Sequence, residues 1–374
     1  MSNSHLRIAI VGCGKIADQH VQAIERIANC RIVALCDREL LMAKQLGERC
    51  GVLSCFSDLG EMLAAVSPDV VHITTPPQAH FSLASLCLES GSHVYLEKPF
   101  TVTATEADTL IQIAEKRDLR LTAGHNCQFT REAIEMRRLV EQGFLGGKPI
   151  HLESYFSYDL GDASYTGPVL GNRSHWVHRL PGKLLHNIIS HGIAKLAEFL
   201  DDELTEILAL ADQSPRLRSL NGGDVLDELR VLIRDKTGTT AVFVFSTQIK
   251  PGLNQLRICG PVNSLLLDQN SSSLIRNVSR TYKSYLTFFV PPVQSARENL
   301  RNAWNNICDF AGKRLYQDFG MTELISRFYN SIKCSEAPPI PYREILLTAK
   351  IMDEIFGQIY DGDYLKVKPE PVPA

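Results

Sequence analysis

The sequence predicts an α/β protein in which an N-terminal doubly wound parallel sheet is followed by a C-terminal α/β domain with a large open, mostly antiparallel sheet. Three observations carry this. Apolar runs alternate with helical patterns over the first 126 residues; the first run breaks into Gly12-Cys13-Gly14 and turns helical; and beyond residue 150 apolar runs follow one another across short turns.

The first run, Leu6 to Val11, reads as a strand. Gly12 supplies a turn conformation closed to other residues, Gly14 holds no side chain between the backbone and a pyrophosphate, and Ala17 lets the next helix lie close to the strand. That helix, Lys15 to about Ala28, carries Ile16, Val21, Ile24 and Ile27 on one face, so the amides around Cys13, Lys15 and Ile16 point at bound phosphates. A second run, Arg31 to Cys36, ends in Asp37, where a Rossmann-type unit places the carboxylate that holds the adenine ribose hydroxyls. Arg38 follows, and its guanidinium stacks on adenine or accepts a 2′-phosphate. NAD is therefore the expected cofactor, with NADP the alternative.

At 374 residues and 44% hydrophobic content the chain is long enough for two domains, and it has no apolar run near the roughly 20 residues of a membrane span. A net charge of −3 without a long Lys/Arg cluster speaks against nucleic acid or anionic membrane as partner. Met1-Ser2-Asn3-Ser4-His5 runs into the first strand without a signal-peptide core, which predicts a cytoplasmic protein. The ten scattered cysteines form no Cys-x-x-Cys, so they read as free thiols and no metal is expected.

Helices are expected to about Cys50 and over Leu59 to Val66, with a short strand near Val52 to Phe56 between them. Asp69 to Thr75 reads as a buried parallel strand whose end, Thr74-Thr75-Pro76-Pro77, faces the ligand crevice of an open sheet. A helix from Gln78 to Ser90 carries His80 in its first turn. The strand His93 to Leu96 then leads into Glu97-Lys98-Pro99, the helix Thr105 to Arg117 follows, and the last strand ends in Gly124-His125-Asn126. Beyond it, a helix near Arg131 to Gln142 precedes strands at His151 to Asp159, Glu206 to Ala211, Glu228 to Arg234, Thr239 to Thr247, Gln255 to Cys259 and Ser264 to Leu267. Helical patterns return at Ala296 to Phe310, Thr322 to Cys334 and Tyr342 to Tyr360, before a Pro-rich end. The predicted domains are 1–126, 127–365 and a tail at 366–374.

Taken together, Gly12-x-Gly14-x-x-Ala17, Asp37-Arg38, Thr75-Pro76-Pro77 with His80, Gly91-x-His93-Val94, Glu97-Lys98-Pro99 and Gly124-His125-Asn126 resemble the oxidoreductases typified by glucose-fructose oxidoreductase and myo-inositol dehydrogenase. The resemblance is close over the first 126 residues and looser beyond. It implies a Rossmann domain whose cofactor contacts include Gly12, Cys13, Gly14, Lys15, Ile16, Asp37, Arg38, Thr74, Thr75, Pro76, His80, Glu97, Lys98 and Asn126. It also implies hydride transfer between a nicotinamide and a hydroxyl-bearing carbon of a sugar, cyclitol or nucleotide-linked sugar, and a homodimer or homotetramer formed through the C-terminal sheet.

Lys98 is the first catalytic candidate, because an ammonium at the mouth of the sheet stabilises negative charge on a reacting oxygen. Its bond to Pro99 is a candidate cis peptide. Read as one helix, Pro181 to Phe199 buries Leu184, Leu185, Ile188, Ile189, Leu196 and Phe199, and aligns Lys183, Asn187, His191 and Glu198 on the other face. The family resembled has Gly-Gly-x-Leu-x-Asp-x-Gly-x-His here, with the His as proton acceptor. This chain keeps His191 but has Asn187 for the Asp, which predicts a weaker base, and Ile189 for the last Gly. The segment Gly161 to Arg179 offers Arg173, His175, Trp176, His178 and Arg179, donors and an aromatic face suited to a sugar, and His186 lies beside them in sequence. Two other outcomes belong to the same scaffold: a nucleotide-binding regulator without catalysis, and redox-assisted glycoside cleavage.

Overall fold

The computed structural model describes residues 5–160, 172–219, 223–314, 316 and 318–360. Among the described residues the chain forms two units, one holding residues up to Asn126 together with Gly320–Asp353, the other holding Cys127–Phe319 and the described residues after Asp353.

In the first unit β1 (Leu6–Val11), α1 (Lys15–Glu25), β2 (Cys30–Cys36), α2 (Leu40–Cys50), β3 (Cys55–Phe56), α3 (Leu59–Val66), β4 (Val70–Ile73), α4 (His80–Glu89), β5 (His93–Leu96), α5 (Ala104–Lys116) and β6 (Leu121–Ala123) alternate as the sequence predicts. The strands pair in parallel in the order β3-β2-β1-β4-β5-β6. Ile8, Ile10, Val70, Val71, Val94 and Leu96 are fully enclosed because helices cover both faces, which is why these strands read as continuous apolar runs. Asp58 and Thr103 cap α3 and α5 by accepting the amides of Glu61 and Glu106. Strand order reverses between β1 and β4, the switch point where open sheets bind ligands. The helix expected from Gln78 starts instead as a 3-10 turn, Pro77–Ala79, set by the proline.

The second unit contains α6 (Arg131–Glu141), β7 (His151–Ser157), α7 (Lys183–Ile188), α8 (Ser190–Ala197), β8 (Leu204–Asp212), α9 (Pro215–Ser219), β9 (Glu228–Asp235), β10 (Thr240–Ser246), β11 (Asn254–Cys259), β12 (Asn263–Asp268), β13 (Ser273–Val278) and α10 (Leu286–Ala311). Its seven strands run in the order β13-β12-β11-β7-β10-β9-β8, antiparallel except for β7 beside β10. Leu229, Val231, Ile233, Phe243 and Phe245 are buried on one face, while Arg230, Leu232 and Arg234 are exposed on the other. Helix α8 presses on the buried face so closely that a Cβ on Gly192 would lie 2.3 Å from Phe243, and Ser154 Oγ donates to Gly192 O at 3.0 Å.

Several features depart from the expectations. The helix read over Pro181 to Phe199 is two short ones meeting at Ile189, where Gly192 N bonds the Ile189 carbonyl in a tighter 3-10 turn. Phe199, placed on the apolar arc, is only half-buried. Strand β13 was not expected, and Asn302 satisfies its edge by bonding both N and O of Leu274. Helix α10 begins ten residues early and includes Pro291 and Pro292. The prolines already hold a helical φ, and the carbonyls they leave unbonded, four residues back at the exposed Thr287 and Phe288, are solvated.

Helices α11 (Phe319–Cys334) and α12 (Tyr342–Ile359) follow, and Gly320–Asp353 pack with the first unit instead of extending the second. Polar anchors hold them there: Asp353 accepts from Ala104 N at the start of α5 (2.8 Å), Tyr342 Oη accepts from Leu121 N (3.2 Å), and Arg120 Nε donates to Glu336 O (2.7 Å). The Pro-rich tail lies outside the described residues.

Candidate active site

In the first unit the turn after β1 is built as its glycines require. Gly12 has φ +94°, and a Cβ on it would lie 2.8 Å from Thr75 N and Cγ2 and 2.9 Å from Thr74 C. Thr74 Oγ1 donates to Val11 O at 3.1 Å and also to Gly12 O, tying β4 to the turn. Gly14 has no neighbour within 4 Å of a Cβ position, and no side chain caps α1. Open space therefore faces first-turn amides without a side-chain acceptor, which is what a phosphate needs. Asp37 accepts from Cys13 N through Oδ2 (2.7 Å) and from Glu39 N through Oδ1 (2.9 Å), so it orders the turn while each oxygen keeps lone-pair capacity for ribose hydroxyls. Lys15, Arg38 and Pro76 are exposed, and Ile16, Thr75 and Asn126 are half-buried.

His80, expected among the cofactor contacts, is enclosed. It is fully buried, with Nδ1 3.0 and 3.1 Å from the carbonyls of Pro99 and Phe100 and Nε2 2.9 Å from that of Thr75. Burial lowers its pKa and favours the neutral ring. A neutral ring carries one N–H, so His80 donates either to Thr75 O in the loop after β4 or to the Pro99 and Phe100 carbonyls after β5, not to both at once.

The Lys98–Pro99 bond is cis, and Lys98 N donates to Glu97 Oε2 at 3.1 Å. Glu97 is buried, and its other oxygen begins a hydrogen-bonded chain that the sequence reading missed: Glu97 Oε1 to His20 Nε2 at 2.9 Å, His20 Nδ1 to His72 Nδ1 at 2.8 Å, and His72 Nε2 to Tyr329 Oη at 2.8 Å. With both rings neutral, one proton order satisfies every link: Tyr329 donates to His72, His72 to His20, and His20 to the Glu97 carboxylate. Burial, then the adjacent His20, pushes His72 well below its usual pKa. Burial alone would raise Glu97, but the His20 hydrogen bond and the Lys98 charge outweigh it and hold the carboxyl below its ordinary value. Gly124 leaves room for this carboxylate, since a Cβ there would lie 2.9 Å from Glu97 Oε1. The available signal was polarity in core positions: His72 within Val70–Ile73, and His20 on the Ala17–Ile24 face of α1.

In the second unit Lys183, Asn187, His191 and Glu198, the face the sequence aligned, are half-buried in a segment that is enclosed elsewhere except at Pro181 and Phe199. His191 Nδ1 lies 3.5 Å from Cys127 Sγ, and Phe156 meets the ring edge-on at 6.4 Å. Burial pushes the Cys127 thiol up to about 11, so it stays protonated at neutral pH. One turn on, Lys195 is buried, donates to Asn254 Oδ1 (2.7 Å) and Gln269 Oε1 (3.2 Å), and is lowered to about 8 by that burial. Cys127 and Lys195 escaped the sequence reading; a lysine between Ala194 and Leu196 on a buried face was the clue.

His186, named beside the substrate contacts, is enclosed. It is 1% exposed and stacked on Phe356 at 4.9 Å and 13°, because Gly182, where a Cβ would clash with the same ring, lets α7 sit against Phe356. Arg173 and Arg179 are exposed around the 3-10 turn Trp176–Arg179, where His178 is half-buried and the rings of His175 and Trp176 lie 5.2 Å apart. The Gly161–Gly171 part of that segment lies outside the described residues.

Comparison with known proteins agrees with this architecture. Over 147 residues the chain is 35% identical to D-glucoside 3-dehydrogenase of Escherichia coli, an alignment covering 39% of this chain and 42% of that one. It is 25% identical over 250 residues to myo-inositol 2-dehydrogenase of Thermotoga maritima, covering 67% and 71%. The chain thus spans less than half of the first of these relatives. The structure of the WlbA dehydrogenase from Bordetella pertussis, solved with NADH and UDP-GlcNAcA, superposes with a TM-score of 0.75 at 17% identity over 97% of both chains, which establishes the shared fold. Residues 6–125, the N-terminal third of the chain, match the model of the GFO_IDH_MocA oxidoreductase family, described by its NAD-binding Rossmann fold.

Proposed function

We propose that the protein is an NAD-dependent oxidoreductase acting on a hydroxyl-bearing carbon of a sugar or cyclitol, free or nucleotide-linked. The observation that carries this is the turn after β1, where Gly12, open Gly14, uncapped α1 and Asp37 together fit a dinucleotide. The sugar-type substrate rests on the glucoside and inositol dehydrogenases to which the sequence is similar. Bound at this turn, the nicotinamide cofactor supplies the hydride acceptor or donor. The protein's share is to hold and activate the hydroxyl: Lys98 donates to the reacting oxygen and stabilises its negative charge, and His191 accepts its proton. The Glu97 carboxylate, fixed by His20, His72 and Tyr329, holds the Lys98 backbone in place. Arg173, His175, Trp176, His178 and Arg179 supply donors and an aromatic face for the sugar. Ten free cysteines suit a reducing cytoplasm, and exposed Leu208, Leu210 and Leu232 on the open sheet face support homo-oligomerisation there.

Calorimetric titration of the wild type should show tighter binding of NAD than of NADP, because the Asp37 carboxylate repels a 2′-phosphate. Sugars and cyclitols added to the NAD complex should then change the nicotinamide absorbance. A clear NADP preference would overturn the Asp37 assignment, and tight NAD binding without turnover of any substrate would favour the regulator.

Asn187→Asp should move the acid-side rise of kcat/KM to higher pH. A carboxylate beside His191 stabilises the imidazolium, so a higher pH is needed to free the base. An unmoved rise with the fold intact would uncouple the two residues and send the search for the proton acceptor to His178.

A further inference from the structure

Helix α10 reverses the usual arrangement of a surface helix by docking its polar stripe on its own unit. Gln294 donates to Tyr282 Oη (2.8 Å), Glu298 accepts from Arg276 Nε (3.0 Å) and Nη2 (2.8 Å), Asn302 bonds Leu274, Asn306 donates to Ser271 O (3.1 Å), and Asp309 pairs with Arg131 and Arg314. Its apolar stripe faces outward. Leu286, Phe289, Val293, Leu300, Trp304, Ile307 and Phe310 are between 53% and 73% exposed.

The outward stripe has a heptad period. Leu286, Val293, Leu300 and Ile307 recur every seventh residue, and Phe289, Ala296, Ala303 and Phe310 follow each by three, which is the seam of paired helices. The seam is also nearly palindromic in size: Phe289, Val293, Ala296, Leu300, Ala303, Ile307, Phe310 runs large, branched, small, Leu, small, branched, large. A surface that reads alike from both ends is self-complementary across a two-fold axis.

We propose that α10 packs antiparallel against α10 of a second copy of this chain, with the two-fold axis at Leu300. Phe289 then meets Phe310, Val293 meets Ile307 and Ala296 meets Ala303. The flanking Arg297 of each copy falls opposite Trp304 of the other, a guanidinium over an indole, which a parallel pair would not provide. Opposed helix dipoles add to this preference. The area suffices: at roughly 150–250 Å² per aromatic side chain, the exposed aromatics and aliphatics leave on the order of 1,000 Å² of apolar surface. A standard interface covers about 800 Å² per partner, and the largest patch on an ordinary monomer is about 300–600 Å². This interface is separate from the open sheet face, so use of both makes a dimer of dimers.

Sedimentation of the full chain tests it, with Leu300→Asp as the variant and Leu232→Asp on the sheet face as the comparison. Leu300→Asp should halve the assembly mass while each protomer still unfolds cooperatively, since within one copy the side chain is 72% exposed. In a mixture of Val293→Cys and Ile307→Cys proteins, a short bis-maleimide should join position 293 of one copy to position 307 of the other, absent from either variant alone. The proposal fails if the wild type is monomeric, if it remains so but sediments with lipid vesicles, if Leu300→Asp keeps the wild-type mass, or if the mixed cross-link is missing.

Discussion

Lys98→Met and His191→Ala are each expected to lower kcat by at least about 10²-fold while leaving the NAD dissociation constant within a small factor, the range typical of charge-stabilising and general-base groups. The expectation separates chemistry from binding. The Lys98 anchor to Glu97 runs through its backbone N, which methionine retains, and His191 is half-buried on a segment held by the enclosed Leu184, Leu185 and Ile193. Steady-state kinetics on whichever sugar proves active, with calorimetry for NAD, decides the matter. Full turnover in either variant would remove that residue from the mechanism.

Gly12→Ala is expected to weaken NAD binding at least about tenfold and to cost about 1–3 kcal/mol of stability, the range for a side chain forced into a sparsely populated backbone region. The added methyl would lie against Thr75 N and Cγ2 at φ +94°, and the turn cannot retreat because Gly12 N donates to Cys36 O at 2.8 Å. Gly14→Ala gives the contrast. With nothing within 4 Å of its Cβ, that variant should unfold like the wild type yet bind NAD more weakly, since the methyl occupies the space in front of the α1 amides. Equal affinity of Gly14→Ala and wild type would move the phosphates away from this turn.

The first unit was legible because its signals are local. An apolar run with a glycine turn, a capping Asp58 or Thr103 and a Pro76-Pro77 stop each act within a few residues, so strand and helix order followed from neighbours in the chain. The Lys183, Asn187, His191 and Glu198 face was legible for the same reason, although Ile189 divides the helix that carries it. The early start of α10 was not legible, because exposure to solvent decides whether the two hydrogen bonds lost at Pro291 and Pro292 matter, and exposure is not a local property.

The sequence by itself determined the alternation of elements, the Gly12 turn, Asp37 at the end of β2 and the Lys98–Pro99 corner, because helical and strand periodicity and backbone sterics are written residue by residue. Tertiary structure alone decided which polar groups meet inside. It joined Glu97 to His20, His72 and Tyr329, the His72–Tyr329 link alone crossing 257 positions of chain, enclosed His186 against Phe356, set Cys127 beside His191, and returned Gly320–Asp353 to the first unit. The reason is physical: a buried donor or acceptor must find a partner wherever the packing brings one, and separation along the chain does not limit that choice.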